Sequence, residues 1–196
     1  MKLVIIKYNA GNIQSVSFAL ERLGVDFSIT DSEEEIKKAD KVIFPGVGEA
    51  STTMNYLRSK KLDQLIVSLK QPVLGICLGM QLMCKHSEEN NTECLGIFNE
   101  TVKCFVPQED MKVPHMGWNN LSLTTNWLDP AIESKYAYFV HSYYVPVNNA
   151  TSAITDYIVP FSAAMHQDNF YAVQFHPEKS AVTGELVLKS FLKLQI

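Results

Sequence analysis

Cys77 has the sequence setting of a nucleophile. It lies in the stretch PVLGICLGMQL, residues 72–82, where a short apolar run leads into Cys77 and helical spacing begins at Leu78. This pattern predicts a turn between a buried strand and a helix over residues 78–85, whose positive N-terminal end favours a thiolate. Glycines on both sides, Gly75 and Gly79, would relieve crowding in a strained turn. A small buried residue in a strand-to-helix turn fits the same stretch, because unpaired cysteines are often buried.

A cysteine nucleophile needs a base, and His176 is the strongest of the five histidines for that role. In YAVQFHPEKS, residues 171–180, a predicted strand over residues 171–175 ends at His176. Pro177 restrains the backbone there, so the imidazole leaves the strand in a defined direction. Glu178 can turn back and orient the ring, which gives the arrangement of a Cys–His–carboxylate triad. A surface His-Pro-Glu turn would have the same three letters.

A third unusual stretch is Pro45-Gly46-Val47-Gly48, which follows a predicted strand. Two glycines let main-chain N–H groups approach a ligand closely. An ordinary tight turn is the alternative interpretation. The absence of a following Gly-Lys-Ser/Thr sequence argues against a phosphate-binding loop.

The elements that must position these residues alternate between strand and helix in the first half of the chain. Such alternation predicts an α/β fold with an open, mainly parallel sheet and helices on both faces, whose ligands bind at the carboxyl ends of the strands. Residues 100–176 are rich in Val, Phe and Tyr broken by Pro, Asn and Asp, which predicts antiparallel strands. We expect one domain, residues 1–196. The predicted strands are 2–7, 26–30, 41–44 and 73–74, and the predicted helices are 12–23, a short one capped by Ser32 and Glu35, stretches up to about residue 69, and about 183–194.

Composition excludes several classes of function. The chain has 196 residues, 46% hydrophobic and 19% charged, which is typical of a globular protein. A net charge of -4 without a Lys/Arg-rich tract argues against nucleic-acid binding, and no apolar run is long enough to span a membrane. The four cysteines show no metal-ligand spacing and are expected to be reduced, as in a cytoplasmic protein. No metal or cofactor is expected.

Taken together, PGVG, LGICLGMQ and VQFHPE resemble, in this order and spacing, the class I (triad-type) glutamine amidotransferases. The resemblance covers essentially the whole chain and implies a flavodoxin-like fold. It also implies that the protein hydrolyses L-glutamine to glutamate and delivers ammonia to a synthase. The nucleophile would be Cys77, the general base His176, and the orienting carboxylate Glu178.

The resemblance extends to the groups that hold glutamine and its oxyanion. The N–H of Leu78, the residue after the nucleophile, is one oxyanion donor. The second donor is implied to be the N–H of Val47, once the Gly46–Val47 peptide has rotated. Gln81 lies one helical turn after Cys77 and can face the same pocket, although a solvent-facing position is the alternative. The implied glutamine-binding residues are Gly46, Gly48, Gln81, Ser142 and Tyr143, of which the last two could also form a structural strand end.

More narrowly, PHMGWN (114–119), FVHSYY (139–144) and HPEKS (176–180) resemble the glutaminase subunits of imidazole glycerol phosphate synthases. That group implies a heterodimer with a (βα)8-barrel cyclase subunit, and contact with the cyclase through Asn12, Met116, Trp118 and Lys179. Met116 and Trp118 could instead be core, and Asn12 and Lys179 ordinary surface residues. One departure from many relatives is Lys7, where they carry an acidic residue.

Two other functions remain open on the sequence alone. A paralogous amidotransferase would feed ammonia to a different synthetase, such as one that acts on surface sugars, and would share the triad. The other is a catalytically silent regulatory subunit. Such a subunit would be free to lose the triad, so the presence of Cys77, His176 and Glu178 argues against it.

Overall fold

The computed structural model describes residues 1–8, 12–125 and 127–195. In chain order, the longer elements of the first half are β1 Leu3–Ile6, α1 Ile13–Arg22, β2 Phe27–Thr30, α2 Glu33–Lys37, β3 Lys41–Gly46, α3 Ala50–Ser59, α4 Leu62–Ser68, β4 Val73–Cys77, α5 Leu78–Met83, β5 Cys84–Ser87, β6 Thr92–Glu93 and β7 Phe98–Cys104. The second half contains β8 His115–Asn120, β9 Ser122–Leu123, β10 Tyr136–His141, β11 Tyr143–Tyr144, β12 Thr151–Tyr157, β13 Val159–Gln167, β14 Phe170–Val173 and α6 Ala181–Lys193.

The central sheet is mixed and confirms the predicted fold class. Its strand order is β2-β1-β3-β4-β14-β13-β12-β9, and neighbours from β2 to β14 pair in parallel. From β14 to β9 the neighbours pair antiparallel, as expected for the second half of the chain. The parallel strands β3, β4 and β14 therefore end side by side, which brings their carboxyl ends to one edge of the sheet.

Helices cover both faces of the sheet because its central strands are apolar on both sides. Along β1, the side chains of Leu3 and Ile5 belong to one hydrophobic cluster, and those of Val4 and Ile6 belong to another on the opposite face. The first cluster is completed by residues of α1 and α6, and the second by residues of α2, α3 and α4.

Helix α5 is shorter than the sequence pattern predicted. It ends at Met83, whereas the helical spacing extended to Lys85. Residues 84–87 form β5, which pairs with β6 and β7 in a separate sheet of order β11-β7-β5-β6. Strand pairing made by distant residues thus overrides the local helical pattern. A further pair, β8 and β10, forms a two-stranded antiparallel sheet.

In the part of the chain that the structure describes, no helix has the length and apolar character needed to cross a membrane.

Candidate active site

A cavity of about 340 Å³ lies where β3, β4 and β14 end, and we call it the Cys77 cavity. Besides Cys77 and His176, its lining includes residues from each of the stretches singled out in the sequence. These are Val47, Gly48, Leu78, Gln81, Ser142 and Tyr143. The structure therefore brings together loops that are distant in the chain at one end of the sheet.

Cys77 lies in the sharp strand-to-helix turn that the sequence predicted. Its backbone has φ 54° and ψ -110°, a conformation that is strained for a residue with a side chain. Strand β4 ends at Cys77 and α5 begins at Leu78, so no loop residue separates the strand from the helix. Gly79 is required because a Cβ there would stand 2.1 Å from the carbonyl oxygen of Phe44. The strained turn aims the Cys77 side chain into the cavity.

His176 and Glu178 form a buried pair rather than a surface turn. Nδ1 of His176 lies 2.7 Å from Oε1 of Glu178, and each side chain is only 1% exposed. The backbone of His176 is held as well, because its N–H donates to Tyr138 O at 2.9 Å and its carbonyl accepts from Ser180 Oγ at 2.7 Å. Since Nδ1 faces the carboxylate, Nε2 is the nitrogen left for proton transfer.

Two neighbouring groups, Cys77 and Glu178, raise the pKa of His176. Burial lowers its pKa, but the interactions with Cys77 and Glu178 outweigh burial and raise the pKa to about 10. Nε2 of His176 has no hydrogen-bond partner of good geometry within the described residues. Nε2 is therefore free to exchange a proton with groups in the cavity.

Asn12, which the resemblance placed at the partner interface, contacts the triad. Its Nδ2 donates to Oε1 of Glu178 and lies 3.3 Å from Nδ1 of His176. Its backbone φ of 120° is unusual for a non-glycine residue. Asn12 is half-buried, so a contact with a partner stays a prediction.

Gln81 faces the buried interior of the site, and the solvent-facing alternative is wrong. Its side chain is buried, and Nε2 donates to the carbonyl oxygen of Tyr143 and to Oε1 of Gln174, both at 3.0 Å. Both amide hydrogens of Gln81 are thereby used. Gln174 was not selected from the sequence, although it precedes His176 by two residues in the same motif.

Glu89 is a second residue that sequence reasoning missed. It lines the Cys77 cavity, and its Oε2 accepts a hydrogen bond from the N–H of Ala50, the first residue of α3, at 2.8 Å. Burial raises the pKa of its carboxyl. No motif marked Glu89, because it stands in the polar run Ser87-Glu88-Glu89-Asn90-Asn91, which resembles an ordinary surface loop.

The residues of both proposed oxyanion donors, Val47 and Leu78, line the Cys77 cavity. Strand β3 pairs with β4 so that Gly46 stands opposite Cys77, which places Val47 and Gly48 at the cavity. Gly48 has φ 113°, a conformation suited to glycine. Leu78 begins α5 directly after Cys77. The roles of Val47 and Leu78 in holding an oxyanion remain predictions.

Met116 and Trp118 are exposed rather than core residues. They are 63% and 53% exposed and lie on one face of β8. Tyr138 of β10 pairs with Trp118 in the strand register. Nζ of Lys179 lies 5.9 Å from the ring centre of Tyr138. We call Met116, Trp118, Tyr138 and Lys179 the aromatic face. Val140, opposite Met116, lines the Cys77 cavity, so this face lies directly beside the site.

The remaining thiols and imidazoles do not assemble into a metal site. Among residues 1–8, 12–125 and 127–195, no group of three or more His, Cys, Asp and Glu side chains is placed to hold a metal ion. Cys77, Cys84, Cys94 and Cys104 are all free thiols.

Comparisons with known proteins agree with this geometry. The family model "Glutamine amidotransferase class-I" matches residues 4–194. A relative from Bacteroides thetaiotaomicron, named "Imidazole glycerol phosphate synthase subunit HisH", is 62% identical over 196 residues, covering 99% of this chain and all of the relative. A protein of the same name from Idiomarina loihiensis is 43% identical, with complete coverage of both chains.

Solved structures share the fold at low sequence identity. A putative GMP synthase protein from Thermoplasma acidophilum superposes with a TM-score of 0.73 at 19% identity, covering 98% of this chain and 92% of that one. The PurLQS structure from Thermotoga maritima matches with a TM-score of 0.68 at 14% identity, covering 97% of each chain. On the family match and the full-length relatives, the chain belongs to the class-I glutamine amidotransferases and, within them, to the group of imidazole glycerol phosphate synthase subunits named HisH.

Proposed function

We propose that this protein is the glutaminase subunit of an imidazole glycerol phosphate synthase. It hydrolyses L-glutamine through a thioester on Cys77 and passes ammonia to a cyclase subunit, which makes imidazole glycerol phosphate and AICAR. The observation that carries the proposal is a strained, inward-facing Cys77 beside a buried His176–Glu178 pair in one cavity. Relatives 62% and 43% identical over their full length support the same function.

The first half of the reaction forms the thioester. The Cys77 sulfur attacks the side-chain carbonyl carbon of glutamine, and the carbonyl oxygen becomes an oxyanion. The N–H groups of Leu78 and Val47 would stabilise that charge. As the C–N bond breaks, Nε2 of His176 gives its proton to the departing nitrogen, which leaves as ammonia. A histidine whose pKa is raised to about 10 holds that proton at neutral pH.

The second half releases glutamate. His176, now neutral, takes a proton from a water molecule that attacks the thioester carbon, and the oxyanion donors act again. The C–S bond breaks, the sulfur keeps the bonding electrons, and the proton stays on His176, as in the starting state. The new carboxylic acid loses its remaining proton to solvent and leaves as glutamate. Glu178 keeps Nδ1 protonated through both halves, so Nε2 is always the nitrogen that exchanges the proton.

The cavity also has groups suited to the amino-acid end of glutamine. Glu89 supplies a carboxylate for the α-ammonium group. Gln81 has used both amide hydrogens on Tyr143 and Gln174, so only its Oε1 is left, and an oxygen accepts rather than donates. The Glu89 carboxylate and Gln81 Oε1 both favour a bound α-ammonium group. Together with Ser142 and Tyr143, they would select a free amino acid over a simple amide of similar length that has no α-ammonium group.

We further propose that the aromatic face docks a (βα)8-barrel cyclase subunit. Exposed Met and Trp are common anchors in interfaces, and this face lies beside the cavity in which ammonia forms. Contact there would keep ammonia out of bulk water. A cytoplasmic location belongs to the same proposal, and four free thiols are in keeping with a reducing compartment.

The test uses Cys77→Ala in complex with the cyclase subunit encoded in the same genome. Glutamine-dependent synthesis should fall by several orders of magnitude, as when a triad nucleophile is removed. Synthesis supported by added ammonium salts should remain, because the cyclase is untouched. Cys104→Ala, at an exposed thiol, is the matched control and should retain both activities. Substantial glutamate release by Cys77→Ala would refute the nucleophile, and failure of the wild-type complex to use glutamine would refute the function.

A further inference from the structure

Gln174 is a fully buried polar side chain that the mechanism above does not use. It lies between the end of β14 and His176, is fully buried, and has Val173 and Phe175, both buried, as chain neighbours. Its backbone N–H continues the sheet by donating to Ala163 O at 2.8 Å. A buried primary amide is costly unless its donors and acceptor are used, so the partners of Gln174 indicate what it does.

The side chain of Gln174 contacts two residues of the site. Its Oε1 accepts from Nε2 of Gln81 at 3.0 Å, and its Nε2 donates to the sulfur of Cys77 at 3.8 Å. One amide therefore touches the proposed nucleophile and also a residue proposed to bind glutamine.

The neighbouring hydrogen bonds fix the orientation of this amide. Gln81 also donates to the carbonyl oxygen of Tyr143, and a carbonyl can only accept. The nitrogen of Gln81 must therefore lie on the side of Tyr143 and Gln174. Gln174 has to present its oxygen to that nitrogen, which leaves its NH2 group for Cys77.

A buried histidine pair, His141 and His115, continues this series of hydrogen bonds beyond the Tyr143 carbonyl. Nδ1 of His141 lies 2.7 Å from Tyr143 O, and its Nε2 lies 3.0 Å from Nδ1 of His115. Burial lowers the pKa of His141 to about 3, so the ring is neutral and its one proton is on Nδ1, facing the carbonyl. The Tyr143 carbonyl thus accepts two hydrogen bonds, and the direction of every bond from His141 to Cys77 follows.

We propose that Gln174 is a positioning residue that holds the Cys77 sulfur and the Gln81 amide together, so that one buried side chain sets both the nucleophile and a substrate contact. An N–H bonded to sulfur is weak for a thiol and stronger for a thiolate, because a charged acceptor strengthens the bond. Gln174 therefore favours the attacking form of Cys77 and receives the sulfur again when the thioester is cleaved. This inference rests on the proposed glutaminase function.

The test separates the two contacts with three variants. Gln174→Met removes both, Gln81→Met removes only the substrate-side contact, and Gln174→Glu keeps an acceptor for Gln81 but loses the neutral donor to sulfur. Gln167→Glu, at an exposed position of β13, is the matched control. Two readouts are measured: kcat and KM for glutamine in the complex with the cyclase subunit, and the pH dependence of Cys77 alkylation by iodoacetamide in the full chain, followed by mass spectrometry.

Gln174→Met should lower kcat by roughly 10- to 100-fold, as for a lost hydrogen bond to a charged group, should raise KM, and should move the alkylation profile to higher pH. Gln81→Met should raise KM and shift that profile less than Gln174→Met does, because the Gln174 donor stays while only the hydrogen bond that orients it is lost. Gln174→Glu should restore KM but not the profile: a carboxylate beside the sulfur opposes the thiolate, and a carboxylic acid would titrate together with it. Two other titratable groups, His176 and Tyr8, interact with Cys77, and none of the variants replaces either of them.

An alkylation profile that is the same in both Gln174 variants as in Gln167→Glu would overturn the inference. So would the loss of cooperative unfolding in both, since Gln174 would then be purely structural. In either case the wild-type complex would still release glutamate from glutamine, which distinguishes this failure from a failure of the proposed function.

Discussion

Replacing Glu178 by Gln tests whether the buried carboxylate orients His176. The substitution keeps the size of the side chain and one oxygen, and it removes the negative charge. In the native site, Oε1 of Glu178 accepts from both His176 Nδ1 and Asn12 Nδ2. Oε2 has no hydrogen-bond partner within the described residues. The new NH2 group therefore fits best at the position of Oε2, where it would be buried without an acceptor.

Asn12 limits the damage that this substitution can do. In a Ser–His–Asp triad, the equivalent change from carboxylate to amide costs roughly 10⁴ in kcat, because the histidine takes the wrong tautomer. Here the Asn12 amide donates to the same oxygen, so turning the new NH2 group toward His176 would bring two donors together. The oxygen should stay on His176, and what is lost is a hydrogen bond between charged groups. We expect kcat to fall by roughly 10- to 100-fold, with KM within a few-fold of wild type.

The assay is steady-state glutamate release by the complex with its cyclase, with thermal unfolding as a check on folding. Asn12→Ala alone should have a smaller effect than Glu178→Gln. The double variant should lose more than the product of the two single losses, because the amide is then free to turn over. Wild-type turnover in Glu178→Gln would show that the His-Pro-Glu turn is structural. A loss of 10⁴ that Asn12→Ala does not deepen would contradict the role given to Asn12.

The remaining predictions concern the oxyanion, the substrate and pH. Val47→Pro removes the proposed second donor and should lower kcat by roughly 10²–10³, while Val47→Ala, which keeps the N–H, should stay near wild type in the same assay. Glu89→Gln should raise KM for glutamine by roughly 10-fold or more with a smaller change in kcat, and an unchanged KM would remove Glu89 from the ammonium site. The pKa of His141 is lowered by burial to about 3, so its contribution to stability is present above about pH 6.5 and lost as the pH falls toward 3. The pKa of His176 is raised to about 10, so its contribution is present below about pH 6.5 and lost as the pH rises through 10. A melting temperature that stays flat across both ranges would contradict these two shifts.

Much of the parallel half of the fold could be predicted from local patterns. The predicted strands 2–7, 26–30 and 41–44 correspond to β1, β2 and β3 within two residues at each end. The side chains of β1 and β3 are mostly apolar on both faces, those of β2 alternate between apolar and polar, and Gly24 marks the end of the first helix. Helix α5 was predicted too long, because its C-terminal boundary depends on β7, which follows it in the chain and draws residues 84–87 into a sheet.

Some residues of the candidate site could likewise be predicted from the sequence, and others could not. Cys77, His176 and Glu178 could be found because strained turns and restrained strand ends have letter patterns of their own. Glu89 could not, since a carboxylate in a polar loop has no pattern that distinguishes a cavity wall from the surface. Gln174 belongs to the VQFHPE motif, but its proposed role depends on contacts with Gln81 and Cys77, which are 93 and 97 residues away in the chain. Only the packed structure brings them together.

The proposed function depends on Cys77 as the nucleophile of the glutaminase reaction. The most direct measurement is covalent labelling of the complex by a glutamine-analogue diazo ketone, followed by peptide mass spectrometry. We expect one adduct, on Cys77, formed in step with the loss of glutamine-dependent activity and prevented by excess L-glutamine. Cys84, Cys94 and Cys104 should remain free. Complete loss of activity with Cys77 unlabelled, or labelling that glutamine does not prevent, would contradict that role of Cys77.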